Sequence, residues 1–241
     1  LPDGRSLAFK ATAGSLGIVD ESGKLQAEIA FIAYTKPEAG ADRPVTFAIN
    51  GGPGASSAYL NIGAIGPWRL STDGTSISPS QPVALQPNPT SWFDFTDLVF
   101  IDPIGTGYSR ALGKGDEGDQ SFYSVKGDID SLATVIRKWL VANDRLQGPQ
   151  YIVGESYGGF RAPRLAKTLE QNDGIGIDGL VMISPVLDFA WFSGDDNPAV
   201  VAGHLPSLVA AAQNFKGDNP REKLQAVESY ASGPYLVDLY R

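Results

Sequence analysis

The chain has 241 residues, 42% of them hydrophobic, enough to bury the core of one α/β domain, and its composition excludes disordered and fibrous classes. A net charge of −8 argues against nucleic-acid binding, which wants a basic face, and reads as a solvated surface. With no cysteine there is neither a disulfide framework nor a thiolate metal site, and no apolar run reaches the roughly 18 residues needed to span a bilayer.

The chain starts at Leu1 with no initiator Met and no visible signal peptide, which reads as a mature or trimmed form. A cysteine-free sequence suits the cytosol and an export compartment alike, and the expectation taken here is a secreted or periplasmic protein. The near-sequon Asn88-Pro89-Thr90 is disqualified by its proline.

In chain order, alternating stretches at residues 7–19 and 25–34 flank Asp20-Glu21-Ser22-Gly23 and predict an antiparallel hairpin. Residues 37–44 form a polar loop. Residues 45–49 read as a buried strand running into the turn Asn50-Gly51-Gly52-Pro53-Gly54. Residues 71–90, rich in Ser, Pro and Gln, read as irregular loop, and 98–102 as another short strand. Val125, Ile129, Leu132, Ala133, Ile136 and Leu140 recur at helical spacing. Residues 151–153 form a strand, a helix runs on to about Glu170, and 179–184 read as one more buried strand. Such alternation implies a mostly parallel sheet with helices on both faces. Beyond Pro185, helices at 205–214 and 221–231 with no further strand read as an inserted cap, cut off at Arg241.

The most informative segment is Gly154-Glu155-Ser156-Tyr157-Gly158. It follows a β-branched run and precedes a helix, the layout of a nucleophile elbow that holds a serine hydroxyl above the sheet edge. An ordinary tight turn is the plainer alternative. The flanking glycines fit a bend with no room for a Cβ. Acyl transfer also needs backbone N–H donors over the reacting carbonyl, and residues 50–54, after a strand, are placed to give one. The amides of Gly52 and Tyr157 would form the pair.

Together with Asp102-Pro103-Ile104-Gly105-Thr106-Gly107-Tyr108-Ser109, the blocks beginning at Asn50 and Gly154 resemble the serine carboxypeptidase family over residues 45–184. The resemblance implies an α/β-hydrolase fold with an inserted helical cap, residues 1–188 belonging to the core and 189–241 to the start of the cap. It implies a Ser–Asp–His triad in that chain order and release of single residues from peptide C-termini, often at acidic pH. Carried over by position, Ser156 is the nucleophile, Gly52 and Tyr157 give the oxyanion amides, and Asn50 and Glu155 bind the substrate's terminal carboxylate. A carboxyl desolvated in a cleft takes up a proton more readily, and can then donate a hydrogen bond to an anion.

The chain departs from the family pattern at Ala48, where the family has tryptophan, at Ala64, where it has a second glutamate, and at Ala55, a common cysteine position. Without a second carboxyl to share a proton, the acidic optimum and the exopeptidase preference both lose support. The family's Asp and His lie downstream of the cap, beyond the residues present. The single histidine, His204, reads more simply as a loop residue at a helix start than as a base. Asp102, Asp188, Asp195 and Asp196 are explained by turn chemistry before catalysis. Trp68, Trp92, Phe93 and Phe95 are candidates for a cleft lining, with core packing the commoner fate. No cofactor or metal is implied.

The expectation is therefore the N-terminal segment of a serine carboxypeptidase-like hydrolase acting on peptides through an acyl-enzyme. A C-terminal chain of the same precursor completes it with Asp and His, and an end at Arg241 fits a trypsin-like cut. Two alternatives stay open: an esterase or acyltransferase of the same fold, motivated by Ala48 and Ala64, and a non-catalytic binding module, motivated by the missing base.

Overall fold

Strands β1 (Lys10–Val19) and β2 (Leu25–Thr35) pair antiparallel, from Lys10 opposite Thr35 to Val19 opposite Leu25. One carboxylate holds the turn between them. Asp20 Oδ1 accepts from the Ser22 amide at 2.9 Å, the Ser22 hydroxyl at 2.6 Å and the Lys24 amide at 3.0 Å. These bonds, the Ser22 hydroxyl foremost, hold the Asp20 carboxyl below the usual carboxylate range. The computed structural model describes residues 4, 6–70, 84–112, 120–191, 197–213 and 220–241. The chain divides into two units, Leu1–Val186 and Leu187–Arg241.

In the first unit, β3 (Val45–Ile49) leads through the glycine turn to a short helix α1 (Ala58–Leu60). A two-stranded ladder, β4 (Trp68–Leu70) with β5 (Leu85–Pro87), precedes β6 (Asp97–Ile101) and the two-residue β7 (Arg110–Ala111). Helix α2 (Val125–Ala142), β8 (Gln150–Glu155), α3 (Tyr157–Thr168) and β9 (Gly179–Ile183) complete the unit. The main sheet runs β1-β2-β6-β3-β8-β9, with β7 also on β2; β6, β3, β8 and β9 are mutually parallel and the pairings of β2 antiparallel.

β3 and β6 are buried at every residue, as parallel strands covered on both faces must be. On one face Ile29, Phe47, Ile101 and Ile152 pack with Leu132, Ile136 and Leu140 of α2 and Leu165 of α3. Phe47 meets Trp139 edge to face at 5.7 Å. On the other, Tyr34, Ala48, Leu98 and Val153 are covered by Leu60, Ile65 and Phe93. Helix α2 starts where its sequence says it should: the Ser124 hydroxyl accepts from the Gly127 amide at 3.0 Å.

From β3 the chain goes to one side to lay down β6, then to the other for β8. The carboxyl ends of β3 and β8 therefore flank a topological switch point, where open α/β sheets bind ligands. The glycine turn follows β3 there, and Ser156 follows β8. At the opposite strand ends, the fully buried Asp97 carboxylate accepts from Arg43 Nε at 2.8 Å, Arg145 Nη1 at 2.6 Å and the Lys36 amide at 3.0 Å.

Four expectations need correction. Part of the loop expected over residues 71–90 is strand β5; residues 71–83 lie outside the described residues. β9 is not buried: Leu180, Val181 and Met182 are 37–43% exposed. It ends the sheet, with β8 on one side and, among the described residues, no strand on the other. In the second unit, helix α4 (Pro198–Gln213) begins seven residues earlier than expected. Asn197 Oδ1 accepts from the Ala199 amide at 3.1 Å, and a proline is at home in a first turn. His204 consequently lies inside a helix, not at its start. Helices α5 (Pro220–Tyr230) and α6 (Leu236–Leu239) follow. Among the described residues, no helix is long and apolar enough to cross a membrane.

Candidate active site

Ser156 sits between β8 and α3 at φ 57°, ψ −119°, a strained conformation for a residue with a side chain. The surrounding main chain holds it there. Its amide donates to Ile183 O at 2.9 Å, and its carbonyl accepts from the Gly159 amide at 2.9 Å and the Val186 amide at 3.1 Å. A Cβ on Gly154 would stand 2.0 Å from Gly158 O, so the bend closes only around a glycine. Ser156 itself is half-buried.

The glycine turn rests directly on this elbow. A Cβ on Gly51 would lie 2.6 Å from the Tyr157 nitrogen, 2.7 Å from Glu155 O and 2.8 Å from Ser156 Cβ. Gly52 then takes the left-handed φ of 107°.

Asn50 is the hub of the turn. It is 2% exposed and bonded in four directions. Nδ2 donates to Glu155 Oε2 at 3.1 Å, Oδ1 accepts from the Leu60 amide at 2.9 Å, and its amide donates to Ser57 Oγ at 3.2 Å. Its carbonyl accepts from Arg161 Nη1 at 2.9 Å. Asn50 and Glu155, 105 positions apart in sequence, thus meet beside Ser156.

Reading the sequence missed Arg161 and Asp128. Arg161, on α3 and 2% exposed, makes a two-pronged ion pair with Asp128 of α2, Nε to Oδ2 at 2.7 Å and Nη2 to Oδ1 at 3.2 Å. Its guanidinium also lies 4.7 Å from the centroid of the Tyr157 ring. Burial pushes the Tyr157 phenol above its ordinary value, the Asp128 charge adds to the rise, and Arg161 and Arg164 oppose it. Five residues past the elbow serine, a charge on the buried side of a short helix was the available signal. Ser57 was missed too: its hydroxyl donates to Ile101 O and its amide to Asp102 Oδ1 at 2.9 Å, so Asp102 anchors a loop.

The other candidates scatter. Asp188 Oδ1 accepts from the Ala190 amide at 2.9 Å, a local turn; Asp195 and Asp196 lie outside the described residues. His204 is an exposed residue of the second unit. Phe93 is core. Trp92 and Phe95 line a groove with Thr46, Thr96 and Tyr151, at the strand ends remote from Ser156, and Trp68 lines a pocket with Phe9 and Phe93. A separate cavity of about 250 Å³ does adjoin the elbow, between Gly54, Tyr123, Asp128, Tyr157 and Arg161.

A family profile described as Serine carboxypeptidase matches residues 3–190. The Arabidopsis thaliana protein "Serine carboxypeptidase-like 31" is 25% identical over 100% of this chain and 50% of its own length. The "Pheromone-processing carboxypeptidase KEX1" of Yarrowia lipolytica is 32% identical over 58% of this chain and 21% of its own. Among solved structures, a prohormone-processing carboxypeptidase from Saccharomyces cerevisiae superposes with a TM-score of 0.61 at 22% identity, over 95% of this chain and 51% of that one. The fold is that of the α/β hydrolases, and the chain spans about half or less of the length of these relatives.

Proposed function

The chain belongs to the serine carboxypeptidase family, and from that premise we propose that it carries the nucleophile side of a carboxypeptidase active site. The observation that carries the reading is the Asn50 Nδ2–Glu155 Oε2 hydrogen bond beside a serine held at positive φ. In this reading the Ser156 hydroxyl, deprotonated by a histidine, attacks the last peptide carbonyl. The amides of Gly52 and Tyr157 receive the oxyanion, the C-terminal residue leaves as its amine takes the proton back from the histidine, and water then hydrolyses the acyl-serine ester and frees Ser156. Asn50, through Nδ2, and Glu155 beside it bind the departing residue's carboxylate.

The histidine and its aspartate come from a C-terminal chain of the same precursor. Two things support this: relatives about twice as long, and the β9 edge, which among the described residues has no strand on its outer side and whose exposed Leu180, Val181 and Met182 suit a further strand. The setting in this reading is secreted or periplasmic, with which a cysteine-free chain is as compatible as it is with the cytosol. In this reading the substrate is a peptide, and the net charge of −8 disfavours nucleic acid.

The test compares hydrolysis of one peptide with a free C-terminus and of its amide, alongside fluorophosphonate labelling of Ser156. The expectation is labelling at Ser156 and a rate at least about tenfold higher on the free acid, the discrimination expected when one desolvated charge contact is lost. Equal rates remove the exopeptidase reading and favour an esterase or acyltransferase, for which Ala64 in place of the family's second glutamate already speaks. Absence of labelling in the complete assembly leaves a binding module.

A further inference from the structure

We infer that Arg161, braced by Asp128, is a positioning residue for the oxyanion turn; the inference rests on Ser156 being the nucleophile. Two of the guanidinium's nitrogens are fixed on the Asp128 carboxylate, at 2.7 and 3.2 Å, which sets the plane of the rigid fork. A third, Nη1, then points at Asn50 O at 2.9 Å. That carbonyl shares a peptide plane with the Gly51 amide, so fixing it fixes how the chain enters Gly51 and Gly52.

The brace reaches both expected oxyanion donors. Through Asn50 it controls the turn that presents the Gly52 amide. Through the Tyr157 ring, 4.7 Å from the guanidinium carbon, it bears on the residue whose amide is the second donor. Asn50 also binds Glu155 with its side chain. A single buried cation from α3 therefore links the Asn50–Glu155 pair, the glycine turn and the elbow. Preorganised donors are effective because they need not move as charge develops, which gives such a brace its value.

Lysine is the discriminating replacement. A point charge keeps the attraction to Asp128 but has no planar fork to hold Asp128 and Asn50 O at fixed angles. In the assembled, full-length protein, Arg161→Lys is expected to lower kcat by about 10- to 100-fold per active site, as supporting-shell changes commonly do. KM should move by less than about threefold, because the contacts that bind the ground state remain. Sites are counted by fluorophosphonate titration, so a loss of folded protein alone leaves the value per site unchanged. Deuterium exchange of peptides covering residues 50–55 is measured in parallel and is expected to quicken.

Since Arg161→Ala would strand a buried carboxylate, the second variant is the paired Asp128→Ala, Arg161→Met, which removes both charges together. It is expected to show the same faster exchange and lower kcat per site. Unchanged exchange, or faster exchange with unchanged kcat per site, in the folded variants overturns the inference. If the parent protein neither labels nor turns over, the serine-hydrolase reading has failed; the exchange measurement then decides by itself whether Arg161 braces the turn.

Discussion

Replacing Gly51 with alanine tests how closely the two main-chain segments of the site are fitted. The backbone at Gly51 is not in the left-handed region, so the added methyl meets a problem of space alone. It would lie 2.6–2.8 Å from the Tyr157 nitrogen, Glu155 O and Ser156 Cβ, about 0.6–0.8 Å short of the 3.4 Å at which ordinary contact begins. Two of these are main-chain atoms of a strained elbow and the third is fixed to it, so the glycine turn must recede. A shift approaching 1 Å at a reacting centre costs about 100-fold in rate, equivalent to about 2.7 kcal/mol of barrier at 1.36 kcal/mol per decade. Overpacking should also remove about 1–3 kcal/mol of stability. The assay is the second-order rate of fluorophosphonate labelling at Ser156, with urea unfolding alongside. Gly63→Ala is the control, since a Cβ there meets nothing within 4 Å. A folded Gly51→Ala protein that labels at the parental rate would refute the reasoning.

Asp97→Ala should lower stability by about 3–5 kcal/mol in urea titration, because it leaves the Arg43 and Arg145 guanidiniums buried without their shared carboxylate; a loss below about 1 kcal/mol would mean they find other acceptors. Phe47→Ala, removing a fully buried ring packed on Trp139, should cost about 3–5 kcal/mol by the same method. Burial raises the Tyr34 phenol above its ordinary value of about 10, opposed by a hydrogen bond from Asn61, and Tyr157 is raised likewise. The unfolded chain then gives up these protons first, so their contribution is intact below about pH 10 and declines as pH rises through the higher folded values. Tyr34→Phe should flatten that decline in denaturation curves taken across the alkaline range, and an unchanged slope would contradict the sign.

What could be read from residues was what neighbours in sequence decide. The hairpin turn follows from Asp20 and Gly23, β3 and β6 from short apolar runs, α2 from a helical period beginning at Val125, and the elbow from its glycines. Contacts between distant residues were not legible. Nothing local marks Asp128 and Arg161, 33 positions apart, as partners, or Asp97 as the meeting point of Arg43 and Arg145. Gly179–Ile183 has the composition of a buried strand, and its exposure depends on what stands beside it in the sheet. α4 was placed late because Gly203 and Pro206 interrupt its pattern, although Asn197 and Pro198 announce its beginning. Strands as short as Leu85–Pro87 and Arg110–Ala111 are defined by their pairing and leave no periodic trace.

The exposed strand β9 also holds a chemical reporter. Met182 is the sole methionine of the chain, and 43% of its surface is open to solvent. Mild peroxide converts an accessible thioether to its sulfoxide and spares a shielded one. A mass increase of one oxygen, followed over time in any preparation, therefore tells how much of the population keeps this strand uncovered.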